Sequence, residues 1–232
     1  MAKQKKLHIT MTDRETGWGW LYFMLQLFIL PQLLNRLNRL LPSPLSPAWI
    51  NFLLYSGNFA AVLVIFRGFL AKSLTQLGKR FFDCLKAVIL GFVACWLCNQ
   101  LLGLLIGWLK PGFSNLNDGS VAALAGTNFV ITAIGTVLLV PIAEELFYRG
   151  LIFQGMYNRS KKAAYILSVL AFAAVHVVGF VDLYDPLTLV LCFIQYIPAA
   201  LCLAWAYAES GCILAPILIH TVINAMGIYA VR

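Results

Sequence analysis

Long apolar runs, cut by short polar segments, follow one another through the chain, and that alternation decides which solvent it folds in. Seven runs can be drawn, at about residues 17–41, 48–70, 82–108, 121–156, 163–181, 187–207 and 212–230. A helix crosses the hydrocarbon of a bilayer with about 20 apolar residues. Inside lipid the backbone must satisfy its own hydrogen bonds, so helices are the form such runs take. Only 11% of the 232 residues are charged and 61% are hydrophobic, whereas a soluble domain carries roughly 25% charged residues. The expected fold is an all-α polytopic membrane protein of about seven transmembrane helices enclosing an intramembrane polar site. An eighth is possible if residues 109–126 re-enter the membrane.

Three sections follow: a basic tail over residues 1–16, N-terminal helices over 17–119, and a membrane core over 120–232. Pro31 is expected to bend the first run, and Pro42, Pro44 and Pro47 to end it. The fourth run is too long for one straight crossing, and Pro141 is expected to kink or divide it. Residues 67–86 read as a basic loop. The first run is long and is followed by further spans, so it reads as a retained helix and not as a cleaved signal.

The net charge of +8 is unevenly placed. Lys3, Lys5 and Lys6, the 67–86 segment and the 158–162 loop hold most of the cations, and seven crossings put all three on one side. The positive-inside rule then makes the N-terminus cytoplasmic and the C-terminus external. A multi-pass protein of the bacterial plasma membrane is expected. No basic face with interleaved aromatics occurs, which argues against a nucleic-acid partner. Cys95 and Cys98 have the C-x-x-C spacing but sit mid-run without a second pair, so they read as small core residues.

What apolar packing does not explain is Pro141-Ile-Ala-Glu144-Glu145-Leu-Phe-Tyr-Arg149. A charge at the centre of a bilayer costs about 2.5–3.5 kcal/mol on insertion scales, so an intramembrane ionisable group marks a functional site by default. Glu145 and Arg149 are i,i+4 with the acid first, the favoured order for an ion pair. Glu144 points about 100° away on the helix and lacks a local partner. Two later runs add His176, one turn after Phe172, and His220 with Asn224, again i,i+4. At 1.5 Å per residue, Glu144, His176 and His220 lie about 18, 20 and 12 Å from their cytoplasmic helix ends, which permits one shared layer. A carboxylate near a neutral histidine can be tuned toward a general base. Two donors on one helix face suit an oxyanion. Against this stand plain readings: Glu144 and Glu145 as glue between helices, a satisfied core histidine at 176, helix–helix hydrogen bonding by His220 and Asn224, and packing by Phe172, Tyr148 and Gln195.

These residues resemble the three motifs of the CPBP or Abi family of intramembrane proteases, which includes CAAX prenyl proteases and bacteriocin-processing enzymes. The motifs are Glu144-Glu145-x-x-x-Arg149, Phe172-x-x-x-His176 and His220-x-x-x-Asn224, and the likeness covers about residues 120–230. The resemblance implies an endopeptidase in which Glu144 and His176 activate a water and His220 and Asn224 steady the oxyanion. Glu145, Arg149 and Phe172 would brace the site. The substrate would be a membrane-associated peptide or protein, prenylated or a bacteriocin or pheromone precursor. For such an endopeptidase, entry from the cytoplasmic leaflet is expected. No cofactor is favoured. Two histidines and a glutamate are also a known zinc set, so Glu144, His176 and His220 are the ligands expected if a metal is used. Bacteriocin self-immunity or signalling without proteolysis, and proton-coupled transport, are the alternatives.

Overall fold

The computed structural model describes residues 6–230; Lys3 and Lys5 of the basic tail lie outside the described residues. Ten helices follow one another: α1 (Asp13–Phe28), α2 (Leu30–Arg39), α3 (Pro47–Ile65), α4 (Arg67–Lys79), α5 (Phe81–Leu109), α6 (Leu116–Thr127), α7 (Phe129–Tyr157), α8 (Lys161–Val178), α9 (Pro186–Ser210) and α10 (Leu214–Ala230). No strand occurs among the described residues. Helices α3, α5, α7, α8 and α9 are long and apolar enough to cross a membrane, and α1 with α2 make a sixth candidate bent by 45°. Helix α10 is apolar but shorter.

Leu7 is tied to the bundle. The side-chain amide of Asn158 takes Leu7 from both sides: the Leu7 N–H donates to Oδ1 at 3.0 Å, and Nδ2 donates to the Leu7 carbonyl at 2.9 Å. Helix α1 then starts at Asp13, earlier than the apolar run suggests, because Thr12 and Glu15 form a capping box. The second carboxylate oxygen of Glu15 accepts from the Phe69 N–H at 2.7 Å, one of the unpaired donors in the first turn of α4. Residues 67–79, expected as a loop, are helical for a physical reason. Phe69 and Ser73 are i,i+4 and turn inward, while Arg67, Lys72 and Lys79 stay exposed.

The long fourth run divides at Asn128 and not at Pro141. Asn128 is extended (φ −156°, ψ 96°), and its side chain accepts from the Ile131 N–H, which starts α7 afresh. Pro141 lies inside α7, just beyond a π turn over Gly135–Leu139. A second π stretch, Leu146–Phe153, is buried along its whole length. Ahead of α2 the break falls at Ile29, with Pro31 in the first turn of the new helix.

Helix α9 packs most extensively, on α5 and on α8. Gly91 lets α5 approach α10 closely: an added Cβ would lie 2.8 Å from Ile219 Cδ1. Gly211, with φ at 67°, takes the left-handed conformation that ends α9 and turns the chain into α10. Aromatic rings close the core beneath the second π stretch, with Phe23, Phe66 and Tyr22 around Phe147 and with Tyr148 edge-on to Phe172. In lipid such packing and the buried polar contacts hold the helices together, since lipid tails are as apolar as the side chains. Of the cysteine pair, Cys95 is buried but Cys98 is exposed.

Candidate active site within the bundle

Glu145 and Arg149 are both fully buried on α7, one helical turn apart, with Nη1 donating to Oε1 at 2.9 Å. Arg149 also donates from Nη2 to the Ala200 carbonyl of α9 at 3.2 Å, and its guanidinium lies 4.4 Å over the Phe172 ring. The same Glu145 Oε1 takes His220 Nδ1 of α10 at 2.8 Å. Two cationic or N–H groups thus meet one buried carboxylate, which is how its charge is tolerated in a low-dielectric interior. A carboxylate can only accept here, so the Nδ1 of His220 carries the proton and its Nε2 faces the other way. That nitrogen lies 3.7 Å from Glu144 Oε2.

Glu144 is only partly buried, at 23% side-chain exposure, and its Oε2 accepts no hydrogen bond among the described residues. It projects into a cavity of about 610 Å³ that His176, His220, Asn224 and Thr136 also line. His176 on α8 donates from Nδ1 to the Phe172 carbonyl at 2.7 Å. A carbonyl accepts, so this contact fixes the tautomer and leaves the Nε2 lone pair free. The ring stacks on Tyr196 with centroids 4.1 Å apart. Glu144 and His176 therefore share the cavity without being hydrogen-bonded to each other.

Asn224 is placed by a defect in α7. In the π turn the Val140 N–H bonds to the Gly135 carbonyl, five residues back. The next carbonyl in that register, Thr136, would need the N–H of residue 141, and proline has none. Asn224 Nδ2 supplies it from α10 at 2.8 Å. One amide proton of Asn224 is thereby used and the other remains for a ligand. π turns of this sort recur at functional sites.

The seven residues singled out by sequence are thus gathered in one place in two layers. Glu144, Phe172, His176, His220 and Asn224 border the cavity, while Glu145 and Arg149 lie buried behind them. Two contacts were not expected from the sequence: Glu145 holds His220 as well as Arg149, and Asn224 spends a donor on backbone. The wider lining also includes Tyr55, Asp118, Gln195 and Tyr196. Asn115, the N-cap of α6, ties two of these together, donating to Gln195 at 2.8 Å and accepting from the Tyr196 hydroxyl at 3.2 Å. The Asn/Asp/Gly-rich composition of residues 111–120 signals a loop, which hid this contribution. Nearby, Asp185 caps α9; bonds from the Thr188 hydroxyl and N–H, and from Lys110, hold its carboxyl at about 2. A depressed value means that this contact acts above the ordinary carboxylate range and is lost as pH falls through about 2.

The zinc alternative needs Glu144, His176 and His220 to converge. Their atom types suit zinc, but no three His, Cys, Asp or Glu side chains among the described residues are placed to hold one ion.

Fold and cavity together define a polytopic helical membrane protein with a buried acid–imidazole site. Residues 126–226, which contain all seven site residues, match the family described as type II CAAX prenyl endopeptidase Rce1-like. The chain is also 32% identical over 95 residues to the UPF0177 protein YxdF of Lactococcus lactis subsp. lactis (strain IL1403). That stretch is 41% of this chain and 47% of the relative, so the chain spans about half of the curated protein it matches. No solved structure matches.

Proposed function

We propose that the protein is an intramembrane endopeptidase in which Glu144 is the general base. The observation that carries this is the contrast between two adjacent carboxylates. Glu145 is fully buried and paired through Oε1 with Arg149 and His220, whereas Glu144 is partly exposed, makes no ion pair with Arg149 and lines the cavity. A water held between Glu144 and the Nε2 lone pair of His176 gives its proton to Glu144 as its oxygen adds to the scissile carbonyl carbon. The proton passes on to His220 Nε2, 3.7 Å away. The imidazolium formed is balanced by Glu145 behind it. Its Nε2–H and the unused Asn224 amide proton then face the tetrahedral oxyanion. Collapse of that species breaks the C–N bond, the amine leaves with the proton from His220, and a new carboxyl terminus remains. General base catalysis of this kind contributes about 10²–10⁴ in rate, and a single oxyanion donor about 10²–10³.

The substrate class that suits the site is an extended peptide segment of a membrane-associated chain, since a cavity within the bundle admits main chain more readily than a folded domain. The CAAX-type family supports this reading. The test is incubation of the purified protein with membrane-anchored peptides in ¹⁸O-labelled water. Hydrolysis places one ¹⁸O in the new carboxyl terminus, read by mass spectrometry; intact peptides at all enzyme concentrations would overturn the proposal. Chelator is expected to leave the rate within about twofold, because the chain's own groups supply the base and the oxyanion donors.

A further inference from the structure

The cavity is not centred in the bundle. Helix α5 starts beside Gly211 and ends beside Asp185, so α9 runs against it and α10 along it; α7 runs against α10, since Thr136 meets Asn224 and Glu145 meets His220, and α8 follows α7 back past Tyr148. The lining residues come from matching halves of them: Gln100 and Gly103 from the end of α5, His176 from the end of α8, Gly227 and Ala230 from the end of α10, Asn117 and Asp118 from the start of α6. Gln100, Gly103, Asp118, Gly227 and Ala230 are exposed, so this end is the mouth. The opposite end is closed by the buried second π stretch of α7.

Charge divides along the same axis. Lys72, Lys79, Arg80, Arg159, Lys161 and Lys162 cluster at the closed end. There Leu7 is bonded to Asn158, Glu15 to Phe69, and Arg80 lies against Gly211. The other end holds fewer cations, Arg36 and Arg39 on α2 and Lys110, the last engaged by Asp185, and Asp118 and Asp182 add negative charge there. No Lys or Arg lines the cavity among the described residues, while Asp118 and Glu144 both do. Basic segments stay in the cytoplasm, and a concave acidic site concentrates cations.

We infer that the cavity is loaded from the extracytoplasmic side of the membrane, by a peptide segment that carries Lys or Arg, with Asp118 at the lip meeting that cation. This is the opposite side from the cytoplasmic-leaflet entry expected for the endopeptidase. Calling the occupant a substrate rests on the endopeptidase reading; the side of entry does not.

Two glycines test the side. Gly227 lines the mouth, Gly78 lies on α4 at the basic end, and a Cβ at either meets nothing within 4 Å. A membrane-impermeant maleimide on intact cells should label Gly227→Cys above the wild-type background and spare Gly78→Cys until the cells are permeabilised. Labelling of Gly78→Cys first, or of Gly227→Cys only after permeabilisation or not at all, overturns the side. The charge is tested by binding, which needs no turnover: a fluorescein-labelled decapeptide with a central Lys against its Gln counterpart, on purified protein. The Lys peptide should bind about fivefold more tightly to wild type, and Asp118→Asn should bring the ratio to about one. Equal affinities for wild type, no binding of either peptide, or a ratio unchanged in Asp118→Asn overturns cation recognition. Labelling from outside without cleavage of any peptide would instead count against the endopeptidase.

Discussion

Glu144 and Glu145 are chemically identical and differ only in what surrounds them. Removing one charge from the Glu145–Arg149–His220 set strands the others in low dielectric, which costs about 3–5 kcal/mol. Arg149→Met is therefore expected to lower the thermal stability of the detergent-solubilised protein sharply, read as loss of monodisperse protein on heating. Glu144→Gln, at a partly exposed position, should leave it unchanged. The i,i+4 spacing made the Glu145–Arg149 pair legible in the sequence. Its bond to His220, 75 residues away, was not, because sequence spacing fixes which face a residue takes on its own helix and says nothing of which helix lies opposite.

At the scale of the element, the π turn ahead of Pro141 shows how backbone chemistry positions a side chain. Asn224→Ala leaves the Thr136 carbonyl without its donor, at a cost of about 1–3 kcal/mol. Adding Pro141→Ala restores an N–H at position 141 and should recover part of that loss. A double-mutant cycle on thermal stability would then show coupling between residues 141 and 224, and strict additivity would contradict the shared carbonyl. The sequence announced that something happens at Pro141 but suggested a break there. A proline can also be accommodated by slipping the hydrogen-bond register, and the break moved to Asn128, whose side chain caps a helix start. Likewise α4 was hidden by its cations: charge density suggests a loop, whereas the inward pair Phe69 and Ser73 makes an amphipathic helix.

For the whole molecule, the apolar runs alone were enough to define an all-α membrane bundle, because lipid leaves the backbone no other economical form. The positions of the later helices followed to within a few residues. Where the bundle is hollow did not, since a cavity is made by the mismatch of several helices and not by any one of them. The exposed residues lining the cavity of about 610 Å³, among them Gln100, Gly103, Asp118 and Gly227, lie toward one end, whereas a carrier alternates between two openings about a central site. Proteoliposomes are accordingly expected to show no Glu144-dependent uptake of peptide. An uptake signal lost in Glu144→Gln would favour the proton-coupled alternative.

The assignment of Glu144 as base is tested most directly by the cleavage rate of purified Glu144→Gln beside wild type, both first shown to be equally stable. A fall of at least about 10²-fold is expected, at the scale of a lost general base. Cleavage by Glu144→Gln at the wild-type rate would mean that another group activates the water.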